Sequence, residues 1–325
     1  PGRRPGGPAG RRRPPSAARR ENRAGLAFVS PTVVVVLVVV LLPILWTVLL
    51  AFQRARLVDI QGMGLFGRWS WDNFSAVFDS PGFWPSLTTT LVYSVGGTAG
   101  SILLGLVAAL ALRRPFPGRG LLRGAMLLPY VAPVVAVTFV WQVALSPQYG
   151  IVNEWGRRWL GWDDPVAFLS TRRYPLDLLG WHVHVPLALL TVIAFETWRY
   201  FPFAFLFLLA RLQAVPATLE EAARVDGATP TQRFRYVLLP QLMPVIALLS
   251  VLRFIMTFNK FDDVYLLTGG GAGTDVAAVR VYDFLTARYD VGAAAAQALV
   301  LAAVLVVLLG VYFAAFVRKA REDES

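Results

Sequence analysis

The sequence predicts an all-α integral membrane protein with six transmembrane helices. Of its 325 residues, 56% are hydrophobic and only 16% are charged, whereas an ordinary soluble domain carries about 25% charged residues. Six apolar runs are long enough to cross the hydrocarbon core of a bilayer, and basic residues cluster in short segments between them. The sequence contains no Cys and two His, so we predict neither disulfides nor a metal site.

The predicted spans follow a segment that is rich in Pro, Gly and Arg. Residues 1–24 have few side chains that a core would bury, so we expect this segment to be disordered. The first apolar run is too long for the hydrophobic region of a secretory signal peptide, and no small-residue cleavage site follows it. The six predicted spans cover residues 26–52, 88–112, 124–146, 183–210, 238–258 and 292–317.

The basic residues predict the orientation of the chain in the membrane. Arg is concentrated in residues 1–24 and in the loop 113–123, and the tail carries Arg318, Lys319 and Arg321. With six spans these segments share one side, so we predict that both termini and the loop 211–237 are cytoplasmic. This distribution also accounts for the net charge of +11 without nucleic-acid binding.

One charged segment stands between long apolar runs, with the sequence PATLEEAARVDGATPTQRFRYVLLPQLMP over residues 216–244. It predicts a short helix from Pro216, a left-handed stop at Gly227, and a second helix with Thr229 as its N-cap and Pro230 at its first position. Spacing alone favours an amphipathic surface helix whose charges are simply solvated. The result in either case is a helical elbow at the membrane surface.

The same segment resembles the EAA loop of binding-protein-dependent ABC importer permeases, through its EAA and DGA triplets and the Leu239–Pro240 pair. Residues 127–153 resemble that family's third span and the following outer loop, and residues 258–275 resemble the segment between its last two spans. Within the family, the sequence is most similar to the carbohydrate-uptake group, which includes maltose and glycerol-phosphate importers. The long TGGG-containing segment resembles the one found in the first of the two permease subunits of such importers. The chain has Ala272 where the family usually has Pro.

The resemblance implies a six-span permease fold over residues 25–318, with a coupling loop over 216–240 and cytoplasmic tails at 1–24 and 319–325. In that family the loop docks into a cleft of a partner ATPase, with Glu221 pairing with an ATPase cation and small residues setting a close fit. The implied coupling residues are Glu220, Glu221, Ala222, Ala223, Asp226, Gly227, Ala228 and Pro240.

The implied partners are a second permease subunit, two ATPase subunits, an extracytoplasmic solute-binding protein and membrane lipid. The chain has no phosphate-binding loop of the G-x-x-x-x-G-K-[ST] type. We therefore expect no cofactor on this chain and no enzymatic activity, with ATP and Mg²⁺ bound by the partner ATPases. The expected location is the bacterial cytoplasmic membrane.

Three charged residues lie within the predicted spans, namely Glu196, Arg199 and Arg253. Charges at that depth normally face a cavity or one another, so they either fix helix register as ion pairs or line a pathway for a polar solute. The family resemblance favours the pathway, and in that family the corresponding positions line the substrate cavity. The implied pathway residues are Glu196, Arg199, Tyr200, Phe203, Arg253, Met256, Thr257 and Lys260.

Two other functions are alternatives to an ABC importer permease that takes up a carbohydrate or related polyol. A stand-alone secondary transporter driven by protons or sodium would use Glu196 as its coupling carboxylate, but it has no need of the cytoplasmic elbow. A membrane-embedded enzyme lacks a recognisable catalytic motif. Most of the pathway residues differ chemically from the family's sugar-contacting residues, so an anionic solute remains an alternative to a neutral sugar.

Overall fold

The computed structural model describes residues 15–58, 69–178 and 181–322. Its first half contains α1 (Pro15–Val36), a π-helical turn (Leu37–Leu41), α2 (Leu42–Ala51), α3 (Asp72–Phe78), α4 (Phe83–Leu112), α5 (Arg119–Met126), α6 (Leu128–Val131), α7 (Val134–Ala144) and α8 (Ile151–Leu160). Its second half contains β1 (Tyr174–Leu178), β2 (Trp181–Val185), α9 (Leu187–Ala214), α10 (Ala217–Val225), α11 (Pro230–Arg233), a π-helical turn (Phe234–Leu238), α12 (Leu239–Phe258), α13 (Asp262–Thr268), α14 (Ala277–Thr286) and α15 (Val291–Glu322).

Five helical segments of the described chain are long and apolar enough to cross a membrane, and a bent pair raises the number to six if it is one span. The five cover Ala27–Ala51, Phe83–Leu112, Leu187–Ala214, Pro230–Phe258 and Val291–Ala314. The pair joins Arg119–Val131 to Val134–Ala144 at an angle of 95°. The chain bends there because Pro133, which has no N–H to donate, holds an extended backbone immediately before α7. The predicted span 124–146 is therefore broken.

The prediction of a disordered segment over residues 1–24 differs from the structure at residues 15–24, which belong to α1. The sequence there is PSAARRENRA, and its Ala, Arg and Glu residues are good helix formers. Residues 1–14 lie outside the described part of the chain, as do residues 323–325 of the predicted tail.

The fourth predicted span begins later than expected, because residues 183–185 form a strand. β1 and β2 make an antiparallel hairpin in which Tyr174 pairs with Val185. The alternation His-Val-His-Val at 182–185 has the two-residue period of a strand, and Pro186 then precedes the first helical residue of α9, Leu187. The hairpin adds a small sheet to an otherwise helical fold.

Helices α4 and α9 pack closely because glycines line their contact. A Cβ added at Gly105 would lie 2.8 Å from the backbone nitrogen of Phe205, and one at Gly97 would lie 2.6 Å from Glu196 Cγ. Small residues allow this approach of two helix backbones, which stabilises packing in a membrane where lipid is as apolar as the side chains. The pair forms one wall of a core with α12.

Candidate functional site

The interior polar cluster is centred on Glu196, which is completely buried in α9. Arg253 of α12 donates to Glu196 Oε1 at 2.6 Å, and the Thr257 hydroxyl donates to the same oxygen at 2.9 Å. The hydroxyl of Tyr93 in α4 donates to Glu196 Oε2 at 3.0 Å. One carboxylate thus joins three spanning helices, and Arg253 itself is only 1% exposed.

Glu196 pairs with the cation of a neighbouring span and not with the one on its own helix. Glu196 and Arg199 share a face of α9, but the structure pairs Glu196 with Arg253. The Arg199 guanidinium is instead directed to α13, where its Nε lies 3.8 Å from Asp263 Oδ1. The i, i+3 spacing of Glu196 and Arg199 allows a pair on one helix, but the hydrogen bond to Glu196 Oε1 at 2.6 Å comes from Arg253 of α12.

Tyr200 connects the Glu196–Arg253 pair to the neighbouring charges of Arg199, Lys260 and Asp263. The Arg253 guanidinium lies 4.3 Å from the centroid of the Tyr200 ring, a cation–π contact. Arg199 Nε donates to the Tyr200 hydroxyl at 3.4 Å, and Lys260 Nζ also contacts that hydroxyl. Lys260 Nζ lies 3.6 Å from Asp263 Oδ2. Three cations and two buried carboxylates therefore form one network.

The structure adds three residues that sequence reasoning missed. Tyr93 and Ser101 lie on α4, where Ser101 Oγ accepts from Arg253 Nε at 3.4 Å, and Asp263 is completely buried on α13. Asp263 offered the clearest signal, as one of two adjacent acids beside an apolar run. Tyr93 and Ser101 are isolated polar residues in an apolar run, and nothing in the sequence marks them as partners of Glu196 and Arg253.

Two of the predicted pathway residues stand apart from this network. Phe203 contacts aromatic rings, with its centroid 6.0 Å from that of Tyr130, and Tyr130 also lies 5.9 Å from Tyr200. Met256 keeps 40% of its surface exposed. The structure therefore brings together Glu196, Arg199, Tyr200, Arg253, Thr257 and Lys260 in one buried cluster, with Phe203 on an adjoining aromatic surface.

The surface loop has the predicted helix–turn–helix geometry. Gly227 has φ +77°, the left-handed conformation that favours glycine. Thr229 forms a capping box with Gln232, and Pro230 begins α11. Pro216 is the N-cap residue of α10 rather than its first helical residue, and Pro240 lies in the first turn of α12. The helix from α11 to α12 is continuous with one spanning segment.

The two adjacent acids of α10 have different surroundings. Both guanidinium nitrogens Nη1 and Nη2 of Arg113 donate to the Glu220 carboxylate at 2.7 Å, and these bonds lower the pKa of Glu220 below its ordinary value. Glu220 therefore ties α10 to the end of α4. Glu221 is exposed, as are Ala222 and Asp226, whereas Ala223 and Ala228 are half-buried. The exposed surface around Glu221 and Ala222, called the Glu221 face below, is therefore available for contact with a partner.

The fold and the site together define a polytopic membrane protein with a charged interior and a helical loop at the membrane surface, which is the architecture of a transport component. Residues 101–322 match the family described as "Binding-protein-dependent transport system inner membrane component". The match covers more than half of the chain, and the chain therefore belongs to this family. Its membership supports transport rather than catalysis and disfavours the ion-coupled secondary transporter.

Two curated relatives illustrate the similarity. The chain is 38% identical over 236 residues to "Inner membrane ABC transporter permease protein YcjO" of Escherichia coli (strain K12), covering 70% of this chain and 73% of that protein. It is 32% identical over 267 residues to "Trehalose/maltose transport system permease protein MalF" of Thermococcus litoralis, covering 82% of this chain and 83% of that protein. The predicted resemblance to ABC importer permeases is confirmed.

A solved structure has the same fold. It is described as a bacterial alginate ABC transporter in complex with an alginate pentasaccharide-bound periplasmic protein, and one of its chains matches with a TM-score of 0.74. The sequence identity is 22%, and the match covers 91% of this chain and 94% of that chain. The predicted helical permease fold is confirmed.

We predict that Arg253→Ala destabilises the protein, because it leaves the Glu196 carboxylate buried without its ion partner. Breaking one partner of a buried pair costs about 3–5 kcal/mol, whereas replacing both partners is often neutral. The double variant Glu196→Gln, Arg253→Met removes both charges, and its amide oxygen can accept from one of the two hydroxyls, Tyr93 or Thr257, while its NH2 group donates to the other. It should therefore recover most of the loss. The measurement is the thermal unfolding midpoint of the purified transporter. A single variant as stable as the wild type would contradict the assigned pairing.

Proposed function

We propose that this chain is the permease subunit of an ATP-driven ABC importer that brings a carbohydrate or a related polyol into the cytoplasm by alternating access. The observation that carries the proposal is the buried polar network on α4, α9, α12 and α13. Two of these helices, α9 and α12, are the spans that the surface loop connects. Hydroxyl groups of a solute are matched by carboxylate and guanidinium groups, and the rings of Tyr130 and Phe203 next to Tyr200 offer flat apolar faces to a sugar ring. The relative named for trehalose and maltose transport supports the same solute class.

The proposal includes partners. A second permease, two ATPases that bind ATP and Mg²⁺, and an extracytoplasmic binding protein would complete the transporter in the bacterial cytoplasmic membrane. The apolar window of the span Ala27–Ala51 has none of its residues buried within this chain, so lipid or the second permease would cover it. The surface loop and both termini are assigned to the cytoplasm, because that orientation places the basic segments on the inner side.

The coupling loop would transmit ATPase closure to the spans. Exposed Glu221 would pair with a cation in the ATPase cleft, and Ala222 and Ala223 would allow close approach. Gly227 and the capping box at Thr229 fix the angle at which the loop enters α12. Because Glu220 is held by Arg113, displacement of α10 would also move the end of α4. Asp226, Ala228 and Pro240 are assigned to the shape of this loop rather than to the ATPase contact.

The charge-neutral double variant Glu196→Gln, Arg253→Met tests the solute pathway separately from stability. We expect it to assemble with its partners and to take up radiolabelled solute at less than a tenth of the wild-type rate, because the groups that order the interior network are gone. The measurement is uptake of a panel of labelled sugars and glycerol phosphates in a deletion strain. Wild-type uptake by the assembled double variant would assign these charges to structure alone.

Charge reversal at Glu221 tests the coupling role. Glu221→Lys should retain basal ATP hydrolysis in the assembled transporter but lose at least tenfold in uptake, because repulsion by the ATPase cation loosens the docked loop. Gln213→Lys provides a control for an added lysine at this surface, since Gln213 is exposed near the end of α9. Uptake and ATPase rates are measured together in proteoliposomes. Normal coupling in Glu221→Lys, or equal loss in the control, would contradict the assignment.

A further inference from the structure

The coupling loop leaves one spanning helix and returns through another, and the two junctions differ in stiffness. Between α9 and α10 the backbone is extended at Val215 and Pro216, with ψ angles of 124° and 130°. Between α11 and α12 the helix continues through the π-helical turn Phe234–Leu238. Extended residues interrupt the i→i−4 hydrogen bonds that stiffen a helix. Through its covalent connections alone, the loop is therefore attached more firmly to α12 than to α9.

A pair of hydrogen bonds closes the base of the loop across these junctions. Arg211, in the last turn of α9, donates from Nε to the main-chain carbonyl of Gln241 at 2.9 Å. Its Nη2 donates to Oε1 of the same residue at 2.7 Å, and Gln241 lies in the first turn of α12. Hydrogen bonds from a charged donor are stronger than those between neutral groups. This Arg211–Gln241 clamp joins α9 to α12 directly and bypasses the extended junction.

The clamp lies beside an apolar layer that limits its exposure to water. Arg211 and Gln241 are half-buried, and the residues that follow them, Leu212 and Leu242, are buried in one hydrophobic cluster. Leu208, one turn earlier on α9, is completely buried in the same cluster. A hydrogen bond in such a low-dielectric surrounding is electrostatically stronger than one in water. The clamp is therefore a firmer contact than a hydrogen bond between two exposed side chains.

The clamp is the second point at which α9 and α12 are joined by polar groups, and the first is the Glu196–Arg253 pair. Arg211 lies 15 residues after Glu196 on α9. Gln241 lies 12 residues before Arg253 on α12. At about 1.5 Å per residue, the two contacts are separated by about 18 to 22 Å along the helices. Two helices joined at one point can tilt about it, whereas two well-separated contacts fix their relative orientation.

We infer that Arg211 is a positioning residue for coupling, which acts through Gln241 to make α9 and α12 move together at the ends next to the coupling loop. The inference rests on the proposed function, because it requires an ATPase that displaces the loop. When α10 is displaced, α12 follows through the helix that continues from α11, and α9 follows through the clamp. The Glu196–Arg253 pair then moves with both helices and is not pulled apart, which would be costly for a buried ion pair.

The functional test compares Arg211→Met, Arg211→Lys and Arg235→Met in the complete transporter in proteoliposomes. Met keeps an apolar stem but donates no hydrogen bond, whereas Lys keeps a charged donor. Arg235→Met removes the same charge from an exposed residue that contacts the Tyr236 ring. The readout is the amount of solute imported per ATP hydrolysed, with a labelled sugar that the wild type takes up. We expect a fall of about fivefold in Arg211→Met, partial recovery in Arg211→Lys and no change in Arg235→Met.

A distance measurement tests the clamp without relying on import. Spin labels at Gln213→Cys and Met243→Cys, both exposed positions, are introduced into this chain before assembly with its partners. Each label lies two residues beyond one member of the clamp. We expect a narrow distance distribution when Arg211 is present, a broader one with Arg211→Met, and a narrow one again with Arg211→Lys. The reason is that the deep ion pair alone leaves the ends of α9 and α12 free to tilt apart.

Four results would overturn the inference. A wild-type ratio of solute to ATP in Arg211→Met would remove the role in coupling, and an equal fall in Arg235→Met would assign the effect to surface charge. A broad distance distribution in the wild type would show that the clamp does not hold the two helices. A lower thermal unfolding midpoint in Arg211→Met, with ratio and distances unchanged, would make the clamp a stabilising contact alone. If the wild type imports no sugar, the proposed function fails, but the distances still test the clamp.

Discussion

The buried Glu196–Arg253 ion pair is the interaction on which the arrangement of the spans depends. A charge within the membrane is costly unless it is paired and hydrogen-bonded, and the Glu196 carboxylate meets that condition only where α4, α9 and α12 come together. Gly97 allows α4 to approach the carboxylate, since any side chain there would collide with Glu196 Cγ. Close helix packing and charge pairing therefore require each other, and both fix the register of these helices.

The same packing links the membrane interior to the surface loop. α9 carries Glu196 within the membrane and leads through Val215 and Pro216 into α10, while Arg113 at the end of α4 holds Glu220 of that helix. α10 is thus attached to both members of the close-packed pair. A force applied at the exposed Glu221 face would reach the interior network through two helices rather than through a flexible linker, which is the mechanical basis of the proposed coupling.

The features that depend on local sequence could be predicted, and those that depend on distant partners could not. Hydropathy located the apolar spans, and turn chemistry located Gly227 and the capping box at Thr229, because these signals act over a few residues. The hairpin formed by residues 174–178 and 181–185 was not predicted, because its second strand overlaps the apolar run assigned to the fourth span, residues 183–210. Tyr93 lies 103 residues from Glu196 in the sequence, so helical spacing gave no indication of their contact.

The most direct test of the account is a distance between α4 and the coupling loop during the ATPase cycle. The sequence contains no Cys, so spin labels at Val107→Cys and Thr231→Cys, both exposed positions, would be the two labels on this chain when it is labelled before assembly with its partners. The account predicts the same distance distribution in the nucleotide-free and ATP-bound states, since α4 and the loop move as one body. A shift of several ångströms on ATP binding, in a sample that hydrolyses ATP normally, would contradict it.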